Sequence, residues 1–322
     1  GAVFILYFGA KNVMGTGWCL WDIASFTTFL SCFSKMALKS SKVAKLFNAV
    51  QKARVSWQRI NPLMRGFVEL ETQSSIDRTQ PAQLQVTNLS VAYDHKVPVI
   101  RGLSFSAHAG EIIGITGPIA CGKSTFGKVL LCETPYSGSV KIGQRELSTL
   151  SDYERSLLIS YMGHQPELIS DTLEENICLG DQGTALPYLN AVCMTDEVSM
   201  MPLGIQTFVG NGGIQLSGGQ QARAALARAL YHKQGILVLD DPFSAVDLIT
   251  EQSIIEHLRC MTGDCVTLIL SHRLSHFPEF DRVVLINDGN CQVGTHASLM
   301  DDCLEYASLY LTQMAGGNAH GS

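Results

Sequence analysis

Apolar and polar positions divide the chain into three stretches of different periodicity. The first opens on an apolar run, Ala2–Phe8, and continues into a segment from Ile23 to Ile60 with neither Gly nor Pro before Pro62. A segment without breakers is expected to form one long helix. Its upper part, Ile23–Ser34, is uncharged but rich in Ser and Thr, and Lys35, Lys39, Lys42 and Lys45 follow, largely on one helical face. A membrane-crossing helix needs about 20 mostly apolar residues. Ile23–Ser34 falls short, so hydropathy fits either the end of a membrane domain or a polar-faced soluble helix.

The second stretch, residues 66–80, has no periodicity and includes the polar run Thr72–Gln80, the composition of a linker. From Pro81 onward strand and helix patterns alternate. Leu84–Tyr93 and Val99–Phe105 read as antiparallel strands, Glu111–Thr116 as a short buried strand, and Ser124–Leu131 as the helix after it. Ile236–Leu239 and Val266–Leu270 are apolar runs of buried-strand length. Arg282–Val293 reads as a hairpin turning at Asp288 and Gly289. The pattern predicts an α/β nucleotide-binding core with a β-rich edge and no internal repeat.

Composition narrows the function classes. Of 322 residues 46% are hydrophobic and 16% charged, rather apolar for a purely soluble protein. The net charge of −6 gives no basic field for nucleic acid. Ten cysteines are scattered without a CxxC or a Cys/His spacing, which predicts reduced thiols and no zinc site. The opening run lacks a basic n-region and is therefore not a signal peptide. Together with the initial Gly1, it is expected to be the severed end of a longer hydrophobic segment.

Chemistry concentrates in three places. Gly117–Ser124 fits G-x-x-x-x-G-K-[ST] after a strand and before a helix. Such glycines let backbone N–H groups close around phosphate oxygens, and the next helix points its positive end at the same anion. Lys123 reaches the β and γ phosphates and Ser124 offers its hydroxyl to Mg²⁺. Leu237–Asp241 is an apolar strand ending in two carboxylates, Asp240 and Asp241, and after a phosphate loop Asp240 fits the holder of the Mg²⁺ shell. Ser217, Gly218, Gly219 and Gln220 open a further helix, Gln221–Leu230, that contains Arg223 and Arg228. This is a second anion cradle. One nucleotide does not require two, so the second is expected to serve an ATP held by another subunit.

The stretch from Gln83 to Leu299 resembles the nucleotide-binding domain of ATP-binding cassette (ABC) transporters, with the motifs in family order and spacing. Gly117–Ser124 is similar to the Walker A loop, Leu216–Gln220 to the signature and Ile236–Asp240 to the Walker B strand. Gln165, in Tyr161–Gln165, is similar to the Q-loop glutamine that contacts Mg²⁺. Ser244–Asp247 resembles the D-loop, His272 the switch histidine on the γ-phosphate, and Tyr93 the aromatic that stacks on adenine. The resemblance implies that ATP contacts Tyr93, Gly117, Pro118, Ile119, Ala120, Cys121, Gly122, Lys123, Ser124, Thr125, Ser217, Gly218, Gly219 and Gln220. Ser124, Gln165 and Asp240 would hold Mg²⁺, and Asp241, His272 and Gln165 would be catalytic. Thr207–Gly213 resembles an exporter segment that touches the membrane domain, with Asn211 in place of the usual Glu. Residues 1–65 resemble the last helices of an exporter membrane domain.

These resemblances imply four divisions: membrane helices to residue 65, a linker over 66–80, the cassette over 81–314 and a flexible tail over 315–322. They imply a half-size exporter in the cell membrane, its cassette in the cytoplasm, partnered by a second half-transporter and the lipid bilayer, with no nucleic acid and an unknown substrate. One departure bears on mechanism. The family's general base is a Glu after the Walker B Asp, and here Asp241 is one methylene shorter, about 1.5 Å of reach. Hydrolysis at this chain's own site is therefore expected to be weak, and a heterodimer with a competent partner is expected rather than a homodimer.

Overall fold

The computed structural model describes residues 2–64, 81–93, 97–210 and 213–317. The chain divides into two compact units, 1–70 and 71–322. The expected linker, 66–80, lies outside the described residues.

The first unit is a helical pair, α1 (Ala2–Val13) and α2 (Ile23–Met64). α2 runs unbroken for 42 residues, a little past the expected end at Ile60. The two helices approach closely at Gly9, where a Cβ would lie 2.0 Å from a Phe26 ring carbon. Trp21 packs on Phe29 with ring centroids 5.3 Å apart. Phe4, Trp18, Leu38 and Trp57 remain exposed. Among the described residues no helix is long and apolar enough to cross a membrane.

The second unit begins with an antiparallel pair, β1 (Gln83–Val91) and β2 (Ile100–His108), close to the expected strands. β3 (Ile112–Thr116) follows and leads through the Gly117–Gly122 loop into α3 (Lys123–Leu130). Next come β4 (Ser137–Ile142), β5 (Arg145–Glu146), α4 (Asp152–Ser156) and β6 (Ile159–Met162). A mainly helical excursion then carries β7 (Asp171–Thr172), α5 (Leu173–Cys178), α6 (Leu186–Ala191), α7 (Thr195–Ser199) and β8 (Phe208–Val209). α8 (Gly218–Tyr231), β9 (Ile236–Asp240), α9 (Leu248–Met261) and β10 (Val266–Leu270) return to the core. The hairpin β11 (Arg282–Asn287) and β12 (Asn290–Gly294), then α10 (His296–Asp302) and α11 (Leu304–Gly317), complete the unit. Helix thus continues into the first residues of the expected tail, and 318–322 lie outside the described residues.

The central sheet has the order β12-β11-β3-β10-β9-β6, and a separate antiparallel sheet has the order β2-β1-β4-β5. β11, β3, β10, β9 and β6 pair in parallel, and β12 adds an antiparallel edge. Burial on both faces explains why the central strands read as continuous apolar runs. Leu237, Leu239 and Ile269 belong to one core cluster with residues of α5, α6, α8 and α9. Ile236, Val238, Val266, Leu268 and Leu270 belong to the other, with α3 and the antiparallel sheet. That is the two-residue alternation of a strand applied between two apolar layers. The expected hairpin turn is realised at Asp288 (φ 48°) and Gly289 (φ 81°), both left-handed, as a tight two-residue hairpin requires.

Leu268, fully buried on a central strand, has no route to water. Leu268→Ala is expected to destabilise the cassette by about 3 kcal/mol, the usual cost of an interior leucine cavity. Denaturant unfolding of the purified protein checks this, and a shift below ~1 kcal/mol would mean that the site collapses around the cavity.

Candidate active site

The loop after β3 is shaped by backbone that side chains resist. Gly117 (φ 150°) and Gly122 (φ 115°) both have positive φ. A Cβ at Gly117 would lie 2.0 Å from the Ile286 carbonyl, and one at Gly122 would lie 2.5 Å from Val99 Cγ1. Only glycine meets both demands, and the result is a tight turn that leads into the N-terminus of α3. Ala120 is also left-handed at φ 63°. Lys123 Nζ donates to the carbonyls of Gly117 at 2.9 Å and Pro118 at 3.1 Å, so its ammonium lies over the loop. Cys121 is half-buried and its Sγ is 3.8 Å from the same ammonium. Ile119 is exposed.

Tyr93 follows β1 in a bend and is partly exposed. Its hydroxyl lies 3.2 Å from Thr125 Oγ1, which ties the aromatic ring to the first turn of α3. That hydrogen bond draws the phenol below its ordinary range.

Three parallel strand ends converge beside this loop. Asp240, the last residue of β9, is buried and accepts a hydrogen bond from the Tyr161 hydroxyl at 3.2 Å. Burial pushes its carboxylate pKa up, while bonds from Ser124 and Tyr161 pull the other way. Burial also raises the Tyr161 phenol, so it stays a neutral donor. Asp241 follows in a left-handed conformation, φ 54°, and is 8% exposed. Its N–H donates to Leu270 O at 2.7 Å, and its carbonyl accepts from Ser244 N at 3.3 Å. His272 Nδ1 stands 3.0 Å from Asp241 Oδ2, and His164 Nδ1 approaches the same oxygen at 3.5 Å. Gln165, next to His164, is exposed.

The second cradle opens α8. Ser217 caps the helix: its hydroxyl accepts from Gln220 N at 3.3 Å, while Ser217 N donates to Gln220 Oε1 at 2.9 Å. This reciprocal capping box leaves the helix entrance well defined. Gln220 Nε2 also donates to Glu197 at 2.8 Å, so both ends of the Gln220 amide are engaged by the chain itself. The two glycines differ. A Cβ at Gly218 would meet nothing within 4 Å among the described residues, whereas one at Gly219 would lie 2.6 Å from Ala245 O. Gly218 faces open space and Gly219 seats the helix against the Ser244–Asp247 loop. Arg228 anchors the far side, donating to Asn176 O at 2.6 Å and Glu167 O at 3.1 Å.

The structure therefore brings the Lys123 loop, Asp240, Asp241 and His272 to one edge of the sheet. It places Ser217–Gln220 on a separate helix entrance. Asn211 lies outside the described residues. Sequence reasoning did not single out His164 or the Asp240 contact of Tyr161. The position of His164 immediately before Gln165 was the available signal.

Comparison with known proteins shows what the surrounding sequence is similar to. Residues 100–244 match the family model described as ABC transporter. The chain carries an ABC transporter domain. It is 30% identical over 315 residues to the lactococcin transport/processing ATP-binding protein LcnC-like of Lactococcus lactis, covering 96% of this chain and 43% of that protein. It is 31% identical over 323 residues to the probable multidrug resistance ABC transporter ATP-binding/permease protein YheI of Bacillus subtilis, covering 96% and 54%. A multidrug efflux ATP-binding/permease protein of Mycobacterium bovis is 31% identical over 299 residues, covering 89% and 25%. The chain thus spans about half or less of these relatives. A solved bacterial Atm1-family ABC exporter with ATP bound has the same fold, with a TM-score of 0.75 at 22% identity, covering 97% of this chain and 56% of that one.

The ABC domain's donor set fits Mg²⁺. A magnesium ion prefers hard oxygen ligands, and the buried Asp240 carboxylate and Ser124 hydroxyl supply them side by side. Burial that works against the Asp240 anion is the environment a cation would relieve.

The two signature glycines make separable predictions. Gly218→Ala is expected to leave thermal unfolding unchanged, or slightly raised by helix propensity, while lowering ATP turnover of the assembled protein. Gly219→Ala is expected to lower the unfolding temperature as well, because its Cβ strikes a backbone carbonyl. Equal thermal shifts in the two variants would contradict the assignment. A second expectation concerns Cys121, whose sulfur lies 2.6 Å from the position of a Cβ on Gly117. Alkylation there is expected to block nucleotide binding, and MgATP to slow the labelling. Equal labelling rates with and without MgATP would place the thiol outside the nucleotide contact.

Proposed function

We propose that this chain binds and hydrolyses ATP to drive export of a substrate across a membrane, as one half of an ABC exporter. The observation that carries the reading is the presence of two phosphate cradles on one domain, Gly117–Ser124 and Ser217–Gly219, on different helix entrances. Two such domains arranged head to tail would sandwich two ATPs, each between one chain's loop and the other's signature. The export-related names of the relatives support the exporter branch. Residues 1–65 are proposed as the last helices of the membrane domain and 66–80 as the linker. The unbroken α2 and the apolar side chains it shares with α1 support that placement. The cassette would then lie in the cytoplasm of a multi-pass protein of the cell membrane.

In this reading Tyr93 stacks on adenine, the loop from Gly117 to Thr125 holds the phosphates, and Lys123 turns its ammonium to the β and γ oxygens. Bound Mg²⁺, held by Ser124, Asp240 and Gln165, would neutralise phosphate charge. Asp241 orients and deprotonates the attacking water, and His272 contacts the γ-phosphate. Closure of the sandwich on ATP and its opening after hydrolysis would rock the membrane helices between two accesses, the work coming from differential affinity of the closed dimer.

We further propose that the subunit works in a heterodimer, with its own site the weaker one. Asp241 supplies less reach than a glutamate, whereas Ser217–Gly219 is intact and would complete the partner's site. A chain that binds ATP but hardly turns it over is the limiting form of the same reading. Full-length subunit alone and with its neighbour-encoded partner provides the test. Lys123→Ala should weaken ATP binding. Ser217→Ala should lower steady-state turnover of the pair about tenfold or more, by removing one donor to the partner's phosphate, while Asp241→Asn should change it less than about twofold. A stable homodimer with brisk ATPase activity that Asp241→Asn abolishes would overturn the heterodimer. ATP binding unaffected by Lys123→Ala would overturn the nucleotide site itself.

A further inference from the structure

Strand register points to a residue for which the reading above has no use. β6 and β9 pair in parallel, with Tyr161 beside Val238 and Met162 beside Leu239. Carried two residues beyond the Met162–Leu239 pair, the same offset sets His164 level with Asp241. The side chains meet as that offset requires: His164 Nδ1 is 3.5 Å from Asp241 Oδ2. On the other flank β9 and β10 pair with Asp240 beside Leu270. This brings His272, two residues on, to 3.0 Å from the same oxygen. Asp241 therefore lies between imidazoles from both neighbouring strands.

The carboxylate needs such support. It is almost fully buried, its Oδ1 has no hydrogen-bond partner among the described residues, and Asp240 stands next to it. A buried carboxylate with few donors is costly and is freer to rotate away from its target. Its backbone is fixed at both N–H and C=O, so its aim depends on side-chain rotation alone. If His272 turns to the γ-phosphate, its hold on Oδ2 is shared or lost, and His164 is the other imidazole on that oxygen. The His164 ring is about half exposed and can turn the remaining few tenths of an ångström into a hydrogen bond, as catalytic contacts commonly do on substrate binding.

We propose that His164 is a positioning residue for Asp241, holding the short carboxylate on the attacking water while His272 serves the phosphate. The inference rests on the ATPase reading given above. It assigns a second role to the segment before Gln165: a displacement of this loop would move the group that aims Asp241. Hydrolysis at this site would then depend on the loop through a contact independent of Gln165.

The test uses the full-length transporter with its partner, in lipid nanodiscs, with the partner's catalytic carboxylate replaced by its amide. Two quantities are read: MgATP affinity, and single-turnover hydrolysis at this chain's site. His164→Ala is expected to slow single turnover about ten- to a hundredfold, the scale of a base misplaced by about 1 Å, with unchanged MgATP affinity. His164→Asn sets an amide N–H near the position of Nδ1 and is expected to restore most of the rate. An unchanged rate in His164→Ala would overturn the proposal. So would an affinity that falls in step with the rate, or an asparagine no better than alanine, because either marks a packing role. Wild-type protein that binds MgATP yet shows no turnover at this site would also overturn it, while leaving the nucleotide site standing. Failure of the wild type to bind MgATP would instead sink the ATPase reading on which it rests.

Discussion

The parallel pairing of β3, β10, β9 and β6 is the constraint on which the site depends. Parallel strands all end at the same edge of the sheet, and ligands of open α/β sheets gather there. β3 delivers the Gly117–Gly122 loop, β9 delivers Asp240 and Asp241, β10 delivers His272, and β6 delivers His164 and Gln165. Apart from the neighbours Asp240–Asp241 and His164–Gln165, these groups are distant in sequence. The ladder's offsets put them within hydrogen-bonding range, as the Tyr161–Asp240 distance of 3.2 Å and the His272–Asp241 distance of 3.0 Å record. A slip of one residue in β6 would turn Tyr161 off Asp240 and present the opposite face. The apolar layers on both sides of the sheet forbid that slip, because Ile159 and Met162 of β6 belong to opposite cores.

A second coupling joins the α8 entrance to the strand ends beyond Asp241 and Leu270. α8 comes so near the Ser244–Asp247 loop that Gly219 can carry no side chain. That loop is gripped in turn by Arg273, which donates to Val246 O at 2.7 Å and Ser244 O at 3.3 Å and pairs with buried Glu251 at 3.2 Å. Arg273 is the neighbour of His272. The entrance of α8, the loop beyond Asp241 and the segment of His272 and Arg273 are therefore linked through direct contacts. Burial raises the Glu251 carboxylate, while His276 and Arg273 oppose that shift. A buried ion pair is weak evidence for net stability; here its clearer effect is to fix the direction of Arg273.

Much of this was legible from residue order, and the rest was not for identifiable reasons. The central strands announced themselves as apolar runs because both faces are buried, and the hairpin through its Asp288–Gly289 turn. Spacing identified the phosphate loop because its glycines answer local demands, positive φ and close approach, that no other residue meets. His164 was invisible to such reasoning. A histidine gains its meaning from a register with β9 about eighty residues away, and apart from its place before Gln165 nothing local distinguishes it from a solvated surface residue. The same holds for Tyr161, whose hydroxyl reaches Asp240, and for Arg228, whose guanidinium ties α8 to Asn176 and Glu167. Gln220 has a contact that residue order did not show: its amide is engaged by Ser217 and Glu197.

The aspartate at 241 reads differently once its backbone is known. With φ 54° the residue occupies the left-handed region, where a Cβ is crowded by the adjacent carbonyl. Asp and Asn are enriched there several-fold among residues other than glycine, because their short polar side chains bond locally. A glutamate would gain reach at the price of a less tolerant side chain in that conformation. Asp241 thus exchanges length for backbone ease, and the shortfall must be met by neighbours that hold the carboxylate still. Imidazoles from both adjacent strand ends, each about half exposed toward the cleft, stand where that support is needed. The site is therefore better described as an aspartate held between two histidines than as a glutamate site that has lost a methylene.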